Sequence, residues 1–144
     1  MIVKNYKYNS WHNQDSLNIS IEQWISLLSN SDIFNEEAIN MLSFVFSQPN
    51  YQSSATEIGV ALNGVTQQKI TALNRKIAKK LYKEFNQEAP TNSSGGKRYW
   101  NVLFDGNPEC ETNDLGYFIW KLRPNLIIAL QRSGFMQLKN KDGN

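Results

Sequence analysis

Twenty residues in the middle of the chain, TQQKITALNRKIAKKLYKEF at 66–85, restrict its fold more than any other stretch. Ile70, Leu73, Ile77 and Leu81 recur at spacings of three and four, which draws a narrow apolar stripe along a helix. At about 100° per residue, the opposite face carries Gln68, Ala72, Arg75, Lys79 and Lys83, with Lys69 and Lys76 beside them. Such a helix has one side for a core and one basic side for solvent or a partner.

The flanking segments narrow the fold further. A shorter helical pattern precedes it at 54–63 (SATEIGVALN), and Gly64 supplies a turn. Two aromatic strands follow, RYWNVLF at 98–104 and GYFIWKL at 116–122. Short helix, tight turn, longer basic helix and hairpin, in this order, spell a winged helix-turn-helix. The expected class is mainly α with a small antiparallel β-hairpin (α+β), elaborated by two N-terminal helices. The expected organisation is an irregular arm over 1–19, a single winged-helix-like domain over 20–138 and a frayed tail over 139–144.

Local signals supply the remaining elements. Ser20 and Gln23 have the spacing of a capping box and open a helix over 21–29, with Ile21, Trp24, Ile25 and Leu28 on one face. Asn35, Glu36 and Glu37 suit the positive end of a second helix. Its apolar positions are Ala38, Met41, Leu42, Val45 and Phe46, and Pro49 closes it. The third helix, over about 55–63 with Ser53 or Ser54 as cap, is expected to bury Ile58, Ala61 and Leu62. QEAPTNSSGGK at 87–97 reads as a polar loop.

Strand alternation predicts Trp100, Val102 and Phe104 facing the core, with Tyr99 and Asn101 on the other side. In the second strand Phe118, Trp120 and Leu122 face the core, opposite Tyr117, Ile119 and Lys121. Between the strands lies a long acidic wing tip. Pro124 fits the first turn of a last helix with core residues Leu126, Ile127 and Leu130, ended by Gly134.

Charge is distributed unevenly. Residues 1–68 carry Lys4 and Lys7 against six carboxylates, net −4, whereas residues 69–98 carry eight basic groups against Glu84 and Glu88, net +6. A local basic patch is what phosphate neutralisation needs, although a long surface helix also carries lysine for solubility. Gln68 and Arg75 are suited to base edges in a major groove. Lys69, Lys76, Lys79 and Lys83 are suited to phosphates, as are Lys97 and Arg98 in the loop. Tyr99 and Tyr117 are the aromatic contact candidates, while Trp100 and Trp120 are expected in the core.

Enzyme chemistry finds little support. His12 is the sole histidine, so a His-based metal nuclease, a zinc hydrolase or a Ser-His-Asp triad is not expected. SGGK at 94–97 fails as a Walker A loop, because Thr91 and Arg98 occupy the places of its first Gly and its Ser or Thr. Asp105, Glu109, Glu111 and Asp114 form an acidic group at the wing tip that reads as a solvated loop, with a divalent-metal site as the minor alternative. Cys110 is the only cysteine, which excludes an intrachain disulfide. No cofactor or metal is expected. Neither a membrane span nor a signal peptide is legible, and a cytoplasmic location is expected.

The segments ATEIG at 55–59, RYWNVLFDG at 98–106 and GYFIWKLRP at 116–124 resemble the N-terminal head domain of modification-dependent HNH restriction endonucleases of the ScoMcrA type. In that family similar segments read as an aromatic pair in a strand, then Gly-aromatic-aromatic-x-Trp-x-Leu-Arg, then a helix. The resemblance covers about residues 35–131 and rests on core aromatics and turn residues. It implies a DNA-contacting module in a restriction or defence setting. Those enzymes carry a separate HNH domain and a reader of modified DNA. With one histidine and no chain beyond Asn144, neither is expected here, and the module would be free-standing or excised.

The expected function is therefore non-catalytic binding of double-stranded DNA, with 66–85 as recognition helix and 98–122 as wing. A nuclease subunit or another defence-related protein is a further expected partner. The alternative is a protein-interaction module on the same scaffold, such as a phage-encoded inhibitor or an adaptor.

Overall fold

The computed structural model describes residues 17–91, 95–99, 101–106 and 119–134. Helices dominate them, and a small antiparallel sheet completes the fold. The elements run α1 (Ile21–Leu28), α2 (Glu36–Phe46), a 3-10 turn (Pro49–Tyr51), β1 (Gln52–Ser54), α3 (Ala55–Ala61), α4 (Gln67–Glu84), β2 (Phe104–Gly106), β3 (Ile119–Leu122) and α5 (Pro124–Ser133).

Each helix start has a local chemical cause. Ser20 accepts from the Gln23 amide while the Gln23 side chain accepts from the Ser20 amide, a complete capping box for α1. Asn35 caps α2 by accepting from Ala38 N at 2.9 Å, and Glu36 and Glu37 lie in the first turn, where the helix end is positive. Ser54 and Glu57 form a second capping box at α3. Thr66 caps α4. At the far end of α4, Asn86 takes a left-handed φ of 54°. There Asn86 N donates to Lys83 O and Gln87 N to Tyr82 O, a Schellman closure that satisfies the last carbonyls.

β3 is the central strand of the sheet, in the order β1-β3-β2, with both pairings antiparallel. Trp120 stands opposite Ser53 on one side and Gly106 on the other, two small residues flanking the indole. Its ring stacks on Phe104, the diagonal neighbour across β2, with centroids 5.0 Å apart. The expectation that Trp120 is a core residue holds, since it is buried together with Phe104 and Leu122.

One core runs through the described residues. Trp24, Leu27 and Leu28 of α1 pack with Leu126, Ala129 and Leu130 of α5, while Met41, Leu42, Ile58, Ile70, Ile77 and Leu81 fill the space between α2, α3 and α4. Asn125 Nδ2 also donates to Ile19 O at 3.1 Å, tying α5 to the segment ahead of α1.

The structure departs from several of these expectations. The first strand begins at Phe104 rather than at residue 98, because 101–103 form a turn. Alternation therefore fails: Asn101, Val102, Leu103, Phe104 and Asp105 are buried in succession. Helix α3 ends at Ala61, which is exposed, and Leu62 is half-buried. Strand β1 (Gln52–Ser54) lies where the sequence predicts no strand. The arm over 1–16, Trp100, the wing tip over 107–118 with Glu109, Glu111, Asp114 and Tyr117, and the tail from 135 onward lie outside the described residues.

Candidate functional site

The junction of α3 and α4 is held by a close backbone approach. A Cβ on Gly59 would lie 2.0 Å from the carbonyl oxygen of Val65, so any other residue there has to displace that backbone. That approach lets Val65 N donate to Gly59 O at 2.8 Å. Asn63 (φ 69°) and Gly64 (φ 76°) make the left-handed turn between the helices. Thr56 Oγ1 reaches Gln67 Oε1 at 3.3 Å, a further link from α3 to the first turn of α4. The outer face of α4 is thereby aimed by contacts made at its start.

On that face Gln68, Lys69, Arg75, Lys76, Lys79 and Lys83 are all exposed. The inner face is broader than the apolar stripe alone suggested, since Asn74, Ala78 and Tyr82 are buried beside Ile70, Ile77 and Leu81. Lys80 departs from the basic face, donating through Nζ to the Asp32 carbonyl at 2.5 Å and so pinning α4 to the α1–α2 connection. Lys69 lies to one side, lining a groove with Glu37, Asn40 and Asn63.

The segment 95–99 runs along the other edge of α4. Tyr99, expected to point away from the helices, is half-buried against them. Its ring meets Tyr82 edge-on at 6.0 Å. Arg75 Cζ and Lys79 Nζ each lie 5.5 Å from the Tyr99 centroid. A cation–π contact of this kind contributes about 0.5–1 kcal/mol at an exposed site, enough to bias a side chain's rotamer. The structure thus brings together Arg75, Lys79, Lys97 and Tyr99, with Thr71 one turn before Arg75.

Lys97 and Arg98 differ in setting. Lys97 Nζ is 3.3 Å from the Glu88 carboxylate, an ion pair in which the Glu88 side chain is 90% exposed. Arg98 is half-buried, and its amide donates to Pro90 O at 2.7 Å.

Asp105 is not a wing-tip acid. It sits in β2, buried, with Oδ1 at 3.5 Å from Arg123 Nη1. Arg123 also donates through Nε (2.9 Å) and Nη2 to the Asn101 carbonyl, and its amide donates to Leu103 O at 3.1 Å. This arginine holds the turn that leads into β2, a role with no local signal in the sequence. Glu88 and Thr71 were likewise missed: one is an acid within a polar loop, the other a neutral residue beside a basic stripe.

Among the described residues no group of three or more His, Cys, Asp or Glu side chains could hold a metal ion, and no helix is long and apolar enough to cross a membrane. Fold and site together define a mainly helical protein with a small antiparallel three-stranded sheet and an exposed basic helix edge. No protein-family model, curated protein or solved structure matches the chain.

Proposed function

We propose that this protein is a non-catalytic module that binds double-stranded DNA through α4, in a winged helix-turn-helix arrangement with the β2–β3 hairpin as wing. The observation that carries the reading is the exposed cationic edge of α4, set on a helix whose start is clamped to α3 by the Gly59–Val65 approach. The sheet adds support. A hairpin that follows the longer helix is anchored to β1, immediately before the shorter one, which ties the wing to the helix pair. Gln68, in the first turn of α4, is the group best placed for a base edge. Lys76, Lys79 and Lys83 lie farther along and suit phosphates.

The resemblance to ScoMcrA-type head domains belongs to the same proposal and suggests a restriction or defence setting. A nuclease subunit would then be a partner in that setting.

Selection from a random duplex pool, followed by titration of a preferred and a scrambled duplex, tests this reading. An enriched motif, with Gln68→Ala weakening the preferred duplex by about 1–3 kcal/mol and the scrambled one less, is the expected outcome. Binding without any enriched motif would remove the base-reading role. Binding to an acidic protein surface but not to duplex would favour the interaction module instead.

A further inference from the structure

Between α4 and the 95–99 segment lies a cleft of about 150 Å³ lined by Thr71, Arg75, Lys97 and Tyr99. We infer that this cleft seats one backbone phosphodiester, shared by Thr71, Arg75 and Lys97 beside the Tyr99 ring, with Glu88 standing in for the phosphate on Lys97 in the free protein. The inference rests on the DNA reading and assigns Arg75 to a phosphate rather than to a base edge.

The chemistry of the lining favours an oxyanion. Arg75 is exposed on α4 with Cζ 5.5 Å from the Tyr99 centroid, and its guanidinium offers several N–H donors to an anion in the cleft. Those groups match phosphate oxygens in a fork. Thr71, four residues earlier on the same edge, offers a hydroxyl, and Lys97 offers an ammonium from the facing segment. Lys79 shares the Tyr99 ring and adds positive potential beside the cleft. Glu88 already places a carboxylate 3.3 Å from Lys97 Nζ. At 90% exposure that carboxylate is held weakly, and a phosphate can displace it without opening the core.

The test uses the full chain with Arg75→Gln, Lys97→Gln and the double variant, titrated across salt on two duplexes of unrelated sequence. Each single variant should weaken both duplexes alike. The double variant should reduce the log–log salt slope by about one, because both charges serve a single phosphate. A reduction of about two would place the residues on separate phosphates and overturn the shared seat. A loss confined to one duplex, with the slope unchanged, would return Arg75 to base reading and also overturn it.

Glu88→Gln should tighten binding about 1.5- to 5-fold and do nothing in the Lys97→Gln background. No tightening would overturn the stand-in role. Inorganic phosphate, followed by amide shifts on the wild-type protein at low ionic strength, separates this inference from the reading beneath it. Shifts at Thr71, Lys97 and Tyr99 without duplex binding would leave an anion seat standing and sink the DNA reading. Duplex binding with neither those shifts nor a slope change would sink the seat alone.

Discussion

Arg123 and Arg75 use one side chain for opposite ends. Arg123 is 11% exposed, and its guanidinium is taken up by the Asn101 carbonyl and by Asp105, itself 10% exposed. Arg75 is exposed on α4, with its guanidinium over the Tyr99 ring. Under the sheet the charge is consumed in joining β3 and α5 to the turn before β2. Along α4 it lies exposed beside an aromatic ring. A carbonyl and a carboxylate commit the Arg123 charge to the fold, whereas under the DNA reading proposed above the Arg75 charge is left for a phosphate.

Truncation should separate the two regions most sharply at Arg123. Arg123→Ala removes the guanidinium beside the buried Asp105 carboxylate and strips two donors from Asn101 O, at an expected cost of about 3–5 kcal/mol in urea unfolding. A loss below 1 kcal/mol would mean that the pair is solvated and the contrast with Arg75 false. Trp120→Ala, in the same region, should cost a similar 3–5 kcal/mol, because it removes the stack on Phe104 and leaves a void between Ser53 and Gly106. Thermal melts decide that case.

Gly59→Ala sits between the extremes. Its Cβ has to push back the Val65 carbonyl, and about 1–3 kcal/mol of destabilisation is expected. Duplex affinity of the folded variant should also fall, since the start of α4 moves. Unchanged stability would show that the helix junction has slack. Lys79→Ala should shift stability by less than about 0.5 kcal/mol while lowering the salt slope of duplex binding by about one. A melt displaced as far as that of Arg123→Ala would place Lys79 in the scaffold.

What the sequence reveals follows the range of the interactions. Ser20 with Gln23, Asn35 with Ala38 and Thr66 with Lys69 are contacts three residues apart, and the starts of α1, α2 and α4 are legible from them. The outward face of α4 is legible too, because helical period alone sorts Lys76, Lys79 and Lys83 from Ile70, Ile77 and Leu81. The sheet is not. β1 is three polar residues, two of them buried, and it becomes a strand only by pairing Ser53 with Trp120 far along the chain. Asn101 reads as an outward-facing strand residue and Asp105 as a solvated wing-tip acid until Arg123, distant in sequence, is brought between them. Tyr99 was legible as a contact candidate, but its place between Tyr82, Arg75 and Lys79 depends on how the 95–99 segment returns to α4.

The DNA reading stands or falls on the salt dependence of wild-type binding. A labelled duplex titrated at several salt concentrations should give a log–log slope of roughly −4 to −5, as four to six phosphates neutralised by the α4 edge and Lys97 require. No binding even at low salt, or binding whose affinity is indifferent to salt, would contradict it.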